Sequence, residues 1–124
     1  MSNERKPKAN SNAPVFKMRI RVYAERRMIG PGKMELLAHL DANGSLAAAA
    51  KEMGMSYMRA WKLVQDMNRD PERRLVEAVR GGARGGAGKL TPLGKKVLHL
   101  YQQMDRAGTA AAQPYARKLA RLLE

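Results

Sequence analysis

A chain of 124 residues is one domain by length and can bury a core without metals or cross-links. It has no cysteine, which excludes disulfides, zinc–thiolate sites and thiol nucleophiles. Lysine and arginine number 24 against 11 aspartates and glutamates, so the formal net charge is +13 and the expected partner is a polyanion, nucleic acid first.

Residues 1–14, "MSNERKPKANSNAP", are polar and basic and are expected to form a disordered arm. They lack the apolar segment of a secretory signal, and no apolar run in the chain approaches the roughly 18 residues of a membrane span. The expectation is a soluble cytoplasmic protein, associated with the nucleoid and not with a membrane. Next, "VFKMRIRVY" alternates: Phe16, Met18, Ile20 and Val22 share one face, and Lys17, Arg19 and Arg21 the other. That period of two predicts a half-buried strand, ended by "IGPG".

"KMELLAHLDANG" predicts a first helix with Leu36, Leu37 and Leu40 inward and a stop at Asn43-Gly44. Ser45 is placed to cap the second helix, "SLAAAAKEM", and Ser56 the third, "SYMRAWKLVQDMNRD". Gly54 falls in the turn between them, where a left-handed backbone suits glycine. Ala49 and Ala50 allow two backbones to approach closely. Ala60, Leu63, Val64 and Met67 recur at helical spacing and face inward, with Met53 and Met55 as flanking core. "RLVEAV" then predicts a short strand, followed by the glycine-rich stretch "GGARGGAGK". Thr91 and Pro92 open a fourth helix with an apolar stripe of Leu93, Val97, Leu100, Tyr101 and Met104. Gly108 and "TAAAQP" are expected to interrupt it before a last segment, "YARKLARLL", with Tyr115, Leu119 and Leu122 on one face.

This order predicts a mainly α chain with a small β-sheet, a winged helix-turn-helix: strand, three helices, two-stranded wing, C-terminal helix or helices. The division is an arm over 1–14, a DNA-binding domain over 15–107 and a C-terminal helix over 108–124, a candidate dimerisation element. Charge follows the same plan. Residues 15–30 carry five bases and one acid, and residues 80–90 carry Arg80, Arg84 and Lys89 with no acid. Residues 31–55 carry two bases and three acids, so a charge-poor scaffold presents basic edges.

The glycine-rich stretch has three readings: a nucleotide phosphate loop, a DNA-gripping wing, and a solvated flexible loop with no partner. A nucleotide phosphate loop needs G-x-x-x-x-G-K-[ST]. Counting back from Gly88 and Lys89, the first glycine position holds Ala83, and Lys89 is followed by Leu90. The motif fails at both ends. A DNA-gripping wing fits better, because glycines allow close approach to a sugar–phosphate chain and Arg80, Arg84 and Lys89 displace its counterions.

The candidate DNA-binding residues are therefore Ser45 and Ser56 at the two helix starts, and Tyr57, Met58, Arg59, Trp61 and Lys62 on the outer part of the third helix, which enters the major groove. Arg80, Arg84, Gly85, Gly86 and Lys89 join them on the wing. Trp61 has two placements, against a sugar or thymine methyl, or capping the core beneath the wing. No catalytic, cofactor-binding or metal-ligating set is expected. His39 and His99 lie 60 residues apart with no evident carboxylate partner, and the nine methionines read as core filler.

The run "GSLAAAAKEMGMSYMRAWKLVQDMN", continued by "LVEAVRGGARGGAGKLTPLGKKVLHLY", resembles the N-terminal DNA-binding domain of ModE-type molybdate-responsive regulators, itself similar to the LysR-type winged helix. The resemblance covers roughly residues 16–104. It implies a bacterial homodimer on a near-palindromic operator, with dimer contacts through the first helix and the helices after the wing. Such regulators usually continue into small β-barrel domains that bind molybdate. Only 17 residues follow Ala107 here, so the expectation is the DNA-binding half alone, with no molybdate bound in this chain.

Three function classes follow. The first is a sequence-specific, non-enzymatic regulator that is a homodimer on double-stranded DNA. The alternatives are a general DNA-binding protein without sequence preference and a winged-helix adapter for a protein partner. An exposed apolar patch on the Leu98 side of the fourth helix would favour the adapter.

Overall fold

The computed structural model describes residues 16–25, 27–77 and 88–124. Six elements follow in order: β1 (Val22–Ala24), β2 (Arg27–Ile29), α1 (Pro31–Asn43), α2 (Leu46–Glu52), α3 (Tyr57–Met67) and α4 (Pro92–Leu123). This is a mainly α winged helix-turn-helix with one small antiparallel sheet. Among the described residues no helix is long and apolar enough to cross a membrane.

The first strand differs from expectation. Residues 16–20 are not a strand, and β1 begins only at Val22. Its partner is the adjacent "RMI", which returns in a tight hairpin pairing Val22 with Ile29, Tyr23 with Met28 and Ala24 with Arg27. Glu25 turns the chain at φ 50°, a left-handed conformation that few residues other than glycine adopt. A strand needs a neighbour for its N–H and C=O groups. Residues 16–20 instead run along α4, where the Tyr101 hydroxyl donates to the Ile20 carbonyl at 2.6 Å. The alternation survives in part: Phe16, Ile20 and Val22 are half-buried and Lys17, Arg19 and Arg21 are exposed, but Met18, expected inward, is exposed as well.

α1 starts two residues before "KMELL", because Pro31 in its first turn carries no N–H to leave unsatisfied. It stops at Gly44, which is left-handed at φ 69° and donates its N–H to the Leu40 carbonyl at 2.7 Å. α2 and α3 cross through Ala49, Ala50 and Ala60, all buried. With Met34, Leu36, Leu37, Leu40, Leu46, Val64 and Met67 they form the core, closed by Leu75, Val76, Leu90 and Leu98.

"RLVEAV" is also less regular than expected. Among the described residues its pairing is a single antiparallel bridge, Val76 with Leu90. Two flanking bonds complete this stem, Glu77 N–H to the Lys89 carbonyl at 2.8 Å and Thr91 N–H to the Leu75 carbonyl at 2.9 Å. The stem presses on α4 so closely that a Cβ on Gly94 would lie 2.0 Å from the Leu75 carbonyl oxygen.

α4 is one helix of 32 residues, without the break expected at Gly108 and "TAAAQP". The alanines there are strong helix formers. Pro114 removes only the N–H that would reach the Ala110 carbonyl, and both residues are exposed, so water can hydrate that carbonyl. Gly108 lies against the residue 16–20 segment, with Ile20 Cδ1 at 3.4 Å from where its Cβ would stand.

Candidate nucleic-acid interface

The helix-turn-helix is built from local signals. The Ser45 side chain accepts from Ala48 N–H at 3.3 Å, and Ser56 accepts from Arg59 N–H at 3.1 Å, so both helices begin on a side-chain cap. Gly54 takes φ 67° between them. With Ala60, Val64 and Met67 buried, the opposite face of α3 is left to solvent. Met58 is 58% exposed and Trp61 38%, and Arg59 and Lys62 are exposed beside them. Ser56 is exposed too. Tyr57 is half-buried against the core, so it presents only part of its ring. Trp61 is thus partly open to solvent and is not among the residues packed on the core.

The wing stem stands next to this motif. Gly88 N–H donates to the Gly44 carbonyl at 3.2 Å, which ties the stem to the turn before Ser45, itself half-buried. Lys89 is exposed, with its Nζ 3.8 Å from a Glu77 carboxylate oxygen. Arg80, Arg84, Gly85 and Gly86 lie outside the described residues. Of the candidate set, Lys89 follows Gly88 beside the Gly44–Ser45 turn, and Ser56, Met58, Arg59, Trp61 and Lys62 are exposed at the start and along the outer side of α3.

Further side chains hold this region. Asn68, just past α3, accepts from Leu75 N–H at 2.9 Å and Val76 N–H at 3.1 Å, and donates to the Val76 carbonyl at 2.8 Å. One amide thus fixes the wing stem to the end of α3. Arg27 of β2 donates to the carbonyls of Met67 at 2.6 Å and Arg73 at 3.3 Å, placing a cation on the C-terminus of α3. Lys33 pairs with Asp66, and Arg69 bonds the same carboxylate at 2.5 Å. The Lys33 hydrogen bond, ahead of the charges of Lys33, Arg69 and Arg27, holds the Asp66 carboxyl below its usual range. Thr91 caps α4 through Gly94 N–H at 2.9 Å and donates its hydroxyl to the Arg74 carbonyl at 2.7 Å. The Thr91 cap and the Asp66–Arg69 pair are local; the others join residues 7 to 46 positions apart.

His39 does have a carboxylate partner, contrary to the sequence reading. Its Nδ1 lies 2.7 Å from Glu52 Oε1, which also accepts from Asn43 at 3.2 Å. The two are 13 positions apart, brought together by the α1–α2 crossing. Leu98 is only 7% exposed, so that side of α4 is covered by the domain itself. The exposed large apolar residues of α4 lie elsewhere, at Leu93 and Leu100, both expected on the inward stripe, and, in its far half, at Tyr115, Leu119, Leu122 and Leu123.

No family model matches the chain. Over 71 residues it is 39% identical to the DNA-binding transcriptional dual regulator ModE of Escherichia coli (strain K12), covering 57% of this chain and 27% of that protein. It is 42% identical over 82 residues to the molybdenum-pterin-binding protein MopB of Rhodobacter capsulatus, covering 66% of this chain and 30% of that one. The transcriptional regulator ModE of Yersinia pestis is 38% identical over 77 residues, or 62% of this chain and 29% of that protein. The chain therefore spans less than a third of the length of these relatives, and over that segment it is a homologue of the ModE-type transcriptional regulators.

Proposed function

We propose that the chain is a sequence-specific DNA-binding transcriptional regulator and not an enzyme. α3 enters the major groove from Ser56 onward, and the glycine-rich basic wing holds the backbone. The observation that carries the reading is the outer face of α3. Met58, Arg59, Trp61 and Lys62 are exposed on a helix whose inner face, turn and cap are all fixed. A net charge of +13 supports a polyanionic partner, and homology to named DNA-binding regulators supports DNA.

The protein acts in this reading as a homodimer on a near-palindromic site, with residues 108–124 as the dimerisation element. The apolar face that packs on the domain through Leu98, Tyr101 and Gly108 continues at heptad spacing to Tyr115, Leu119 and Leu122, which are exposed. A second copy of the same helix supplies a matching face.

A fluorescence-anisotropy titration tests the function against a near-palindromic duplex selected from random DNA and a scrambled duplex, each at two salt concentrations. The expected preference is ~1000-fold or more. Equal, salt-sensitive binding to both would leave a general DNA-binding protein. No binding to either would overturn the DNA reading and favour a protein partner.

A further inference from the structure

The proposed function places α3 in the major groove but does not say what it reads there. We infer that Met58 and Trp61 read the C5-methyl groups of thymines and that Gln65, one turn further on, reads an adjoining adenine. The inference rests on the DNA reading above.

At about 3.6 residues per turn, the line along the middle of the solvent face of α3 passes through Met58, Lys62 and Gln65, with Trp61 beside it and Arg59 at the edge. All five are exposed, as is Arg69 just past the end of the helix. Each has a different relation to charge. Arg69 is bonded to Asp66 at 2.5 Å, and Asp66 also holds Lys33, so the one carboxylate on α3 is turned aside and neutralised. Arg59 and Lys62 are left as cations facing outward, suited to the phosphates that wall a groove.

Beside them stand two large apolar side chains that folding leaves uncovered, Met58 at 58% and Trp61 at 38% exposed. They sit three residues apart, so they form one patch. In a major groove the apolar feature is the thymine methyl, the only such group on the four base edges. A protein partner would also accept an apolar patch, but it has no general need of the flanking cations. Gln65 adds a donor and an acceptor on one planar amide, the set that pairs with adenine N6 and N7. Adenine stands across from thymine in every A·T pair, so methyl contacts and an amide contact describe one short A·T-containing half-site.

The test uses the full chain and duplexes it selects from random DNA. Each thymine is replaced in turn by deoxyuridine, which deletes only the methyl group. The expected result is a loss of about fourfold at one or two thymines per half-site, the worth of one buried methyl. That loss should disappear in Met58→Ala or Trp61→Ala, with circular dichroism checking the fold. Gln65→Ala should weaken the preference for adenine at one position by about 5- to 100-fold. The wild-type measurement alone decides the methyl contacts if a Trp61 variant fails to fold. If no deoxyuridine lowers wild-type affinity and Gln65→Ala leaves base preference intact, while binding still falls with salt, the inference is overturned and the proposed function stands. Failure to bind any duplex overturns both.

Discussion

The outer face of α3 and the far half of α4 both present large apolar side chains to solvent, Met58 and Trp61 on one and Tyr115, Leu119, Leu122 and Leu123 on the other. Their settings differ. α3 is capped by Ser56, packed beneath through Ala60, Val64 and Met67, and held at its end by Arg27 and Asn68. Its apolar patch is therefore a rigid surface with the cations Arg59 and Lys62 beside it. α4 runs roughly 48 Å at about 1.5 Å per residue, and its 32 residues extend the face that packs on the domain well past Gly108. The first surface suits a rigid polyanion that must be read with fixed geometry. The second suits a copy of itself, because a continuous helix face at heptad spacing is self-complementary. Similar exposure thus carries different meaning according to what surrounds it and how firmly it is held.

The comparison breaks most severely if the shared scaffold is lost. Gly94→Ala forces a methyl into the Leu75 carbonyl and should cost about 3 kcal/mol or more, read by denaturant unfolding. DNA binding and self-association should then both fall. A variant that separates the two surfaces is more informative. Leu119→Glu with Leu122→Glu should halve the mass measured by sedimentation and leave the melting temperature of the domain unchanged. Affinity for a palindromic duplex should fall toward that for a single half-site. The converse variant, Arg59→Ala with Lys62→Ala, should leave the mass alone and reduce the slope of log affinity against log salt by about two.

Smaller effects sharpen the claim that α3 is held rigidly. Ser56→Ala removes the cap and should cost about 1 kcal/mol of stability, with a matching loss of DNA affinity. The Asp66 carboxyl is held low in the folded chain, chiefly by Lys33, so its contribution is present above the ordinary aspartate pKa and is lost as pH falls through the folded value. Acid titration of stability should show that loss below about pH 4, and Lys33→Met should flatten it.

The parts of the fold legible in the sequence are those with local causes. Ser45, Ser56 and Thr91 are legible as caps and Gly44 and Gly54 as turns because each acts within four residues of itself. The inward sides of α1 to α3 follow from spacing alone. The β2 strand is not legible, because "RMI" has no alternation to show until β1 folds against it. The break assigned to α4 gave Gly108 and Pro114 more weight than the alanines between them, and tertiary contact with Ile20 added support the sequence does not display. Within the site, Asn68, Arg27 and the Lys33–Asp66 pair act across 7 to 46 positions, and nothing in their spacing announces a partner.

The proposed function requires that the fixed outer face of α3 bind a polyanion. The most direct test is the affinity of the wild-type chain for one selected duplex across a series of salt concentrations. The account predicts a steep linear fall of log affinity with log salt, at about 0.9 per phosphate contacted. A slope near zero would contradict it.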